Sequence, residues 1–130
     1  MNIIVCVSQV PDTTTKIAVG ADGKTIEKNG VKFILNPYDE YAIEEGLQLR
    51  EKFGGTVTAL TVGNDSSKDI LRTALAMGAD KAVLISDSGN SDTFGIAHSI
   101  AEYAKTVVPD LIILGRQSID YDSFAMASMV

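Results

Sequence analysis

At 130 residues, with 45% hydrophobic and 22% charged side chains, the chain has the make-up of one globular domain able to bury roughly two thirds of its unfolded surface. Seventeen acidic residues against eleven basic ones leave a formal net charge of −6 without any Lys/Arg cluster, which argues against nucleic acid or an anionic membrane as a partner. A single cysteine excludes an internal disulfide, no apolar run approaches the ~18 residues of a membrane helix, and residues 1–7 are too short and uncharged for a signal peptide, so cytoplasm is the expected compartment.

In chain order, Asn2 to Val7 (NIIVCV) has the apolar, β-branched content of a strand buried on both faces, with the Cys6 thiol inside. Residues 8–16, SQVPDTTTK, show no periodicity and read as loop. Between Lys16 and Leu35 the Asp22-Gly23 pair separates β-favouring runs and predicts a small surface hairpin outside the main sheet. Asn36-Pro37 signals a helix start: Asn can accept from free helix N–H groups, Pro is preset for the first helical position, and Asp39 and Glu40 suit the positive end. Ala42, Ile43, Gly46, Leu47, Leu49 and Phe53 form the apolar face of that helix, which stops at Gly54-Gly55.

Residues 56–62, TVTALTV, form the second strand. Ser66 or Ser67 is expected to cap a second helix that presents Ile70, Leu71, Ala74 and Leu75 to the sheet and ends at Gly78. KAVLIS, residues 81–86, is the third strand. A polar loop follows, then a third helix with Ile96, Ala97, Ile100, Ala101 and Ala104 inward and His98 outward. Such alternation predicts an α/β fold, a parallel sheet with helices on both faces and a hairpin insertion after the first strand.

After Pro109, Leu111 to Leu114 form a fourth buried strand and Gly115 punctuates it. Arg116, Gln117, Ser118, Asp120 and Asp122 then place a cation, an amide, a hydroxyl and two carboxylates at the carboxyl end of a parallel strand, where open α/β sheets bind ligands. That set suits the phosphate and ribose of a nucleotide, although composition alone favours a plain surface loop. The last eight residues, SFAMASMV, read as the opening of a helix too short to cover Phe124, Met126 and Met129, as expected of a fragment of a longer protein or of a chain that needs a partner.

The familiar catalytic signatures are missing. There is no G-x-G-x-x-G after the first strand, no G-x-x-x-x-G-K-[ST], no H-E-x-x-H, no C-x-x-C and no G-x-S-x-G, and the one histidine rules out a His-rich metal site. Asp120 and Asp122 could serve as magnesium ligands, but with no second acidic cluster nearby a cap or ribose contact fits better. No nucleophile, base or metal cage is legible, so a non-enzymatic role is expected.

Four segments together resemble the β subunit of electron transfer flavoprotein: VCVSQVPDTTTKI near the start, NPYDEYAIEE from Asn36 to Glu45, RTALAMGAD from Arg72 to Asp80, and GRQSIDYD from Gly115 to Asp122. They cover almost the whole chain in the family's order. The resemblance implies a Rossmann-like adenine-nucleotide-binding fold related to universal stress proteins, with residues 1–130 as the binding domain of a longer chain. It implies AMP in this subunit, or FAD where the complex bifurcates electrons, with redox FAD shared with an α subunit. The implied function is passing electrons from dehydrogenases, such as acyl-CoA dehydrogenases, to an acceptor. By the same resemblance, Cys6 and Val62 offer backbone contacts, Asn36, Pro37, Tyr38 and Asp39 border adenine and ribose, and Gly115, Arg116, Gln117, Ser118, Ile119, Asp120, Tyr121, Asp122 and Ser123 wrap the phosphate. Two departures stand out. Ser8 replaces a residue that is often Lys or Arg in the family, and Phe124 to Ala127 replace a polar, glycine-bearing continuation. The alternative is a stand-alone nucleotide sensor of the universal-stress type, whose G-x-x-G-x(9)-G-[ST] pattern this sequence lacks.

Overall fold

A computed structural model describes residues 1–130. Four parallel strands make the central sheet: β1 (Asn2–Cys6), β4 (Thr56–Gly63), β5 (Lys81–Ser86) and β6 (Leu111–Leu114), in the order β5-β4-β1-β6. Between β1 and β4 lie two short strands, β2 (Gln9–Pro11) and β3 (Phe33–Leu35), and helix α1 (Pro37–Phe53). Helices α2 (Lys68–Met77), α3 (Thr93–Val107) and α4 (Met126–Met129) complete the chain. The expected mostly parallel α/β architecture is therefore present.

β1 and β6 carry near-continuous apolar runs because both faces of the sheet are covered, and the two-residue alternation of a strand sorts the side chains. Ile3 and Val5 of β1 join Val57 and Ala59 of β4 against Ile43, Leu47, Ile70 and Leu71 of α1 and α2. Ile4, Cys6 and Leu60 point the other way, against Ile100 and Ala104 of α3. At the amino ends of the strands the same device occurs twice. Asp80 accepts from Val57 N–H at 2.8 Å while its own N–H donates to Val57 O, and Asp110 does likewise with Asn2 at 2.6 Å.

Several local expectations give way to tertiary contacts. Residues 8–16 are not all loop: Gln9–Pro11 pair antiparallel with Phe33–Leu35, Val10 is buried, and Pro11 ends the strand, where its lack of an N–H costs little. This ribbon is the root of the insertion. Its far end does turn at Asp22-Gly23, where the Asp22 carboxylate accepts from Lys24 and Thr25 N–H, but only one bridge, Val19 to Ile26, forms beyond the root. Ser66 and Ser67 do not cap α2 through their side chains. Asn64 Oδ1 accepts from Ser66 N–H instead and starts a single 3-10 turn, Asp65–Ser67, that leads into the helix.

Phe53 and Leu75, read as inward, are exposed; Phe53, the last residue of α1, lies under the Lys52 ammonium at 5.3 Å. His98 is exposed as expected and stacks on Phe94. The closing helix spans only Met126–Met129, with Met126 and Val130 packed on the α3 side and Phe124 exposed. No helix is long and apolar enough to cross a membrane.

Candidate functional site

In a parallel sheet every strand-to-helix loop emerges at one edge, so the loops after β1, β4, β5 and β6 converge whatever their spacing in sequence. Here they enclose a cleft of about 610 Å³, within the range of small-molecule sites.

Asn36 sets one wall. Its side chain does not cap α1; the backbone carbonyl accepts from Asp39 and Glu40 N–H, which frees the amide to reach across the cleft. Asn36 Nδ2 donates to Gln117 O at 2.9 Å and Oδ1 accepts from Ile119 N–H at 3.2 Å, so one buried residue, 1% exposed, ties the start of α1 to the loop after β6. The expected cap is thus a bridge, because the nearby loop offers a donor and an acceptor in backbone-like spacing.

Asp39 completes the join. Its carboxylate accepts from Ser8 N–H and Ser8 Oγ, both at 2.8 Å, and from Gly115 N–H at 3.2 Å. Burial pushes its carboxyl above the ordinary carboxylate range, against the opposing pull of those hydrogen bonds. Gly115 cannot carry a side chain: a Cβ would meet the Asp39 carboxylate and come within 2.8 Å of the Tyr38 carbonyl carbon. Beyond it the loop closes on itself, with Ser118 N–H donating to Ser123 O and Ser123 N–H to Ser118 Oγ. Asp122 takes a left-handed φ of 51°, which Asp tolerates better than most residues, and accepts weakly from Gln117 Nε2 at 3.3 Å.

Of the residues singled out in sequence, Cys6, Asn36, Asp39 and Val62 line the cleft. Gly115, Gln117, Ser118, Asp120, Tyr121 and Ser123 line it from the facing loop. Pro37, Tyr38 and Ile119, half-buried, and Arg116 and Asp122, exposed, lie outside the cleft wall. Cys6 is a buried thiol with its pKa pushed up to about 12, first by burial and then by the Asp39 charge, so it stays protonated and unreactive at neutral pH.

Sequence reasoning missed the opposite wall: Gly63 at the end of β4, Asn64 and Ser67 after it, Asp87, Gly89, Ser91, Asp92 and Thr93 before and at the start of α3, and Gln9 from β2. The signal was available, since these loops follow strands of the same parallel sheet. Gln9 Oε1 accepts from Ser66 and Ser67 Oγ, which pins the ribbon to the start of α2.

The cleft wall has no Lys, Arg or His, and its charged side chains are Asp39, Asp87, Asp92 and Asp120. No group of three or more His, Cys, Asp or Glu gathers as a metal site. Gln117 and Asp120, both on the cleft wall, have backbone N–H groups that find no acceptor within the chain, and the wall's carboxylates are suited to hydroxyls.

Residues 23–129 match the electron transfer flavoprotein domain. The chain belongs to the electron transfer flavoprotein family. It is 46% identical over 130 residues to the electron transfer flavoprotein subunit beta of Bacillus subtilis, covering 98% of this chain and 50% of the relative. Similarity extends to the subunit beta of Clostridium acetobutylicum, 42% over 125 residues, covering 95% of this chain and 48% of the relative. Protein FixA of Azorhizobium caulinodans is 42% identical over 130 residues, covering 95% and 46%. The chain spans about half the length of the curated relatives it matches. Within the family region lie α1, the arm beyond Asp22 and the whole loop after β6.

Proposed function

We propose that residues 1–130 are the adenine-nucleotide-binding domain of an electron transfer flavoprotein β subunit, a non-catalytic carrier component. The observation that carries this reading is the Asn36 bridge, which holds the start of α1 and the Gly115–Ser123 loop as the two sides of one cleft at the strand carboxyl ends. The donor set fits an adenylate. Gln117 and Asp120 N–H groups suit a phosphate without a basic side chain, the Asp120 carboxylate suits a ribose hydroxyl, and the strand ends near Cys6 and Val62 offer backbone partners to a base edge.

AMP is the ligand this reading assigns to the subunit, with FAD in its place if the complex is of the bifurcating kind; a flavin, when bound, supplies the redox chemistry. The chain's own residues bind, orient and shield. Ile119 and Asp122 act by holding the loop shape, through Asn36 and Gln117, Pro37 and Tyr38 by starting α1 beside it, and Arg116 faces solvent next to the cleft. The kinship to universal stress folds belongs to the same reading and rests on the parallel sheet and the position of the cleft. An α subunit holding FAD is the proposed partner, dehydrogenases such as acyl-CoA dehydrogenases the proposed donors, and the cytoplasm the proposed compartment.

The test is the mass and absorbance of what the full-length complex releases on denaturation. AMP with one FAD supports simple transfer, two flavins per heterodimer supports bifurcation, and absence of any adenine compound contradicts the proposal.

A further inference from the structure

We infer that Asp39 fills, with its own carboxylate, the anion berth where the strand order reverses, and so limits the phosphate charge that the cleft accepts. This rests on the nucleotide reading above and adds to it a specificity-determining residue.

β1 lies between β4 and β6, so the crevice between the carboxyl ends of β1 and β6 is the switch point of the sheet, where N–H groups ordinarily meet a ligand phosphate. Here the N–H groups after those two strand ends, Ser8 and Gly115, both donate to Asp39, and the Ser8 hydroxyl adds a third bond. The carboxylate is an intramolecular stand-in for a bound anion. It is 5% exposed and no cationic side chain on the cleft wall offsets it.

A ligand phosphate is consequently displaced along the loop toward the N–H groups of Gln117 and Asp120. Each further phosphate that reaches toward the strand ends meets a fixed like charge across a crevice of low dielectric. Adenylates of low phosphate charge fit, whereas a nucleoside triphosphate without a metal ion is rejected. Gly115 reinforces this: its lack of a side chain lets the Asp39 carboxylate sit in the berth, and that same closeness leaves no room for a phosphate there.

The test compares AMP and metal-free ATP binding by calorimetry in the full-length chain freed of endogenous nucleotide, for wild type, Asp39→Asn, Asp39→Ser and Asp87→Asn. Wild type should prefer AMP. Asp39→Asn should narrow that preference by about tenfold or more, as expected for loss of one close like charge, and Asp87→Asn by less. Asp39→Ser, which frees both N–H groups, should also gain thermal stabilisation by inorganic phosphate that wild type lacks. An unchanged AMP to ATP ratio in Asp39→Asn, or equal narrowing in Asp87→Asn, overturns the inference. If wild type binds no adenine nucleotide, the nucleotide reading fails, and the phosphate response of Asp39→Ser alone decides whether the berth exists: a gain supports it and none overturns it. Should Asp39→Ser fail to fold, Asp39→Ala, which also empties the berth, is read in the same way.

Discussion

Two side chains at the start of α1 do most to shape the cleft, and each makes a separable prediction. Asn36 is buried and satisfies Gln117 O and Ile119 N–H. Asn36→Ala leaves both without that partner, so stability should fall by about 2 kcal/mol, read from urea unfolding midpoints, and nucleotide affinity should fall with it. Unchanged stability would mean that the bridge is not formed in solution.

Asp39 affects stability through pH. Burial holds its carboxyl above the ordinary value of 3.8, so the folded state keeps this proton more tightly than the unfolded one. Its contribution is fully present below the unfolded value and is lost as pH rises through the raised folded value. Asp39→Asn cannot lose a proton. The stability difference between variant and wild type should therefore move in the variant's favour as pH rises from the ordinary value through the raised folded one; a flat difference, or one moving the other way, contradicts the assignment.

At the scale of elements, what the sequence made legible was whatever depends on local periodicity and punctuation. β5 and β6 agree with the sequence pattern residue for residue, β1, β4 and α1 to within a residue, and Gly78 ends α2 with φ 125°. What was not legible depends on partners remote in sequence. Gln9–Pro11 looks like loop until Phe33–Leu35 pairs with it, and Asn36 looks like a cap until residue 117 arrives opposite. The wall facing the 115–123 loop escaped for the same reason, since Asn64 and Asp92 cap their own elements and look fully explained by that role.

One element boundary carries visible strain. Val108 follows α3 with φ 47°, a left-handed conformation that a β-branched residue adopts at a cost, and its side chain is 76% exposed. Val108→Gly should relieve that strain while giving up little burial, raising stability by about 1 kcal/mol in urea unfolding. A loss of stability would show that the valine side chain packs more than its exposure indicates.

For the whole molecule, the strand order β5-β4-β1-β6 explains why residues as distant as Asn36, Val62, Asp92 and Ser118 share one cleft. The four-strand sheet fixes the edge, the ribbon of β2 and β3 closes its near side, and α1 presents Asn36 and Asp39 to the loop after β6. The proposed adenylate, in a cleft without cations on a chain of net charge −6, relies on backbone N–H groups for its phosphate.

The most direct test is hydrogen–deuterium exchange of the full-length chain in its proposed complex, with and without AMP, read by mass spectrometry at peptide resolution. AMP should slow exchange chiefly in the segments containing residues 36–39 and 115–123, with the insertion around Asp22 unaffected. Protection confined to other segments, with 115–123 exchanging equally fast in both states, would contradict it.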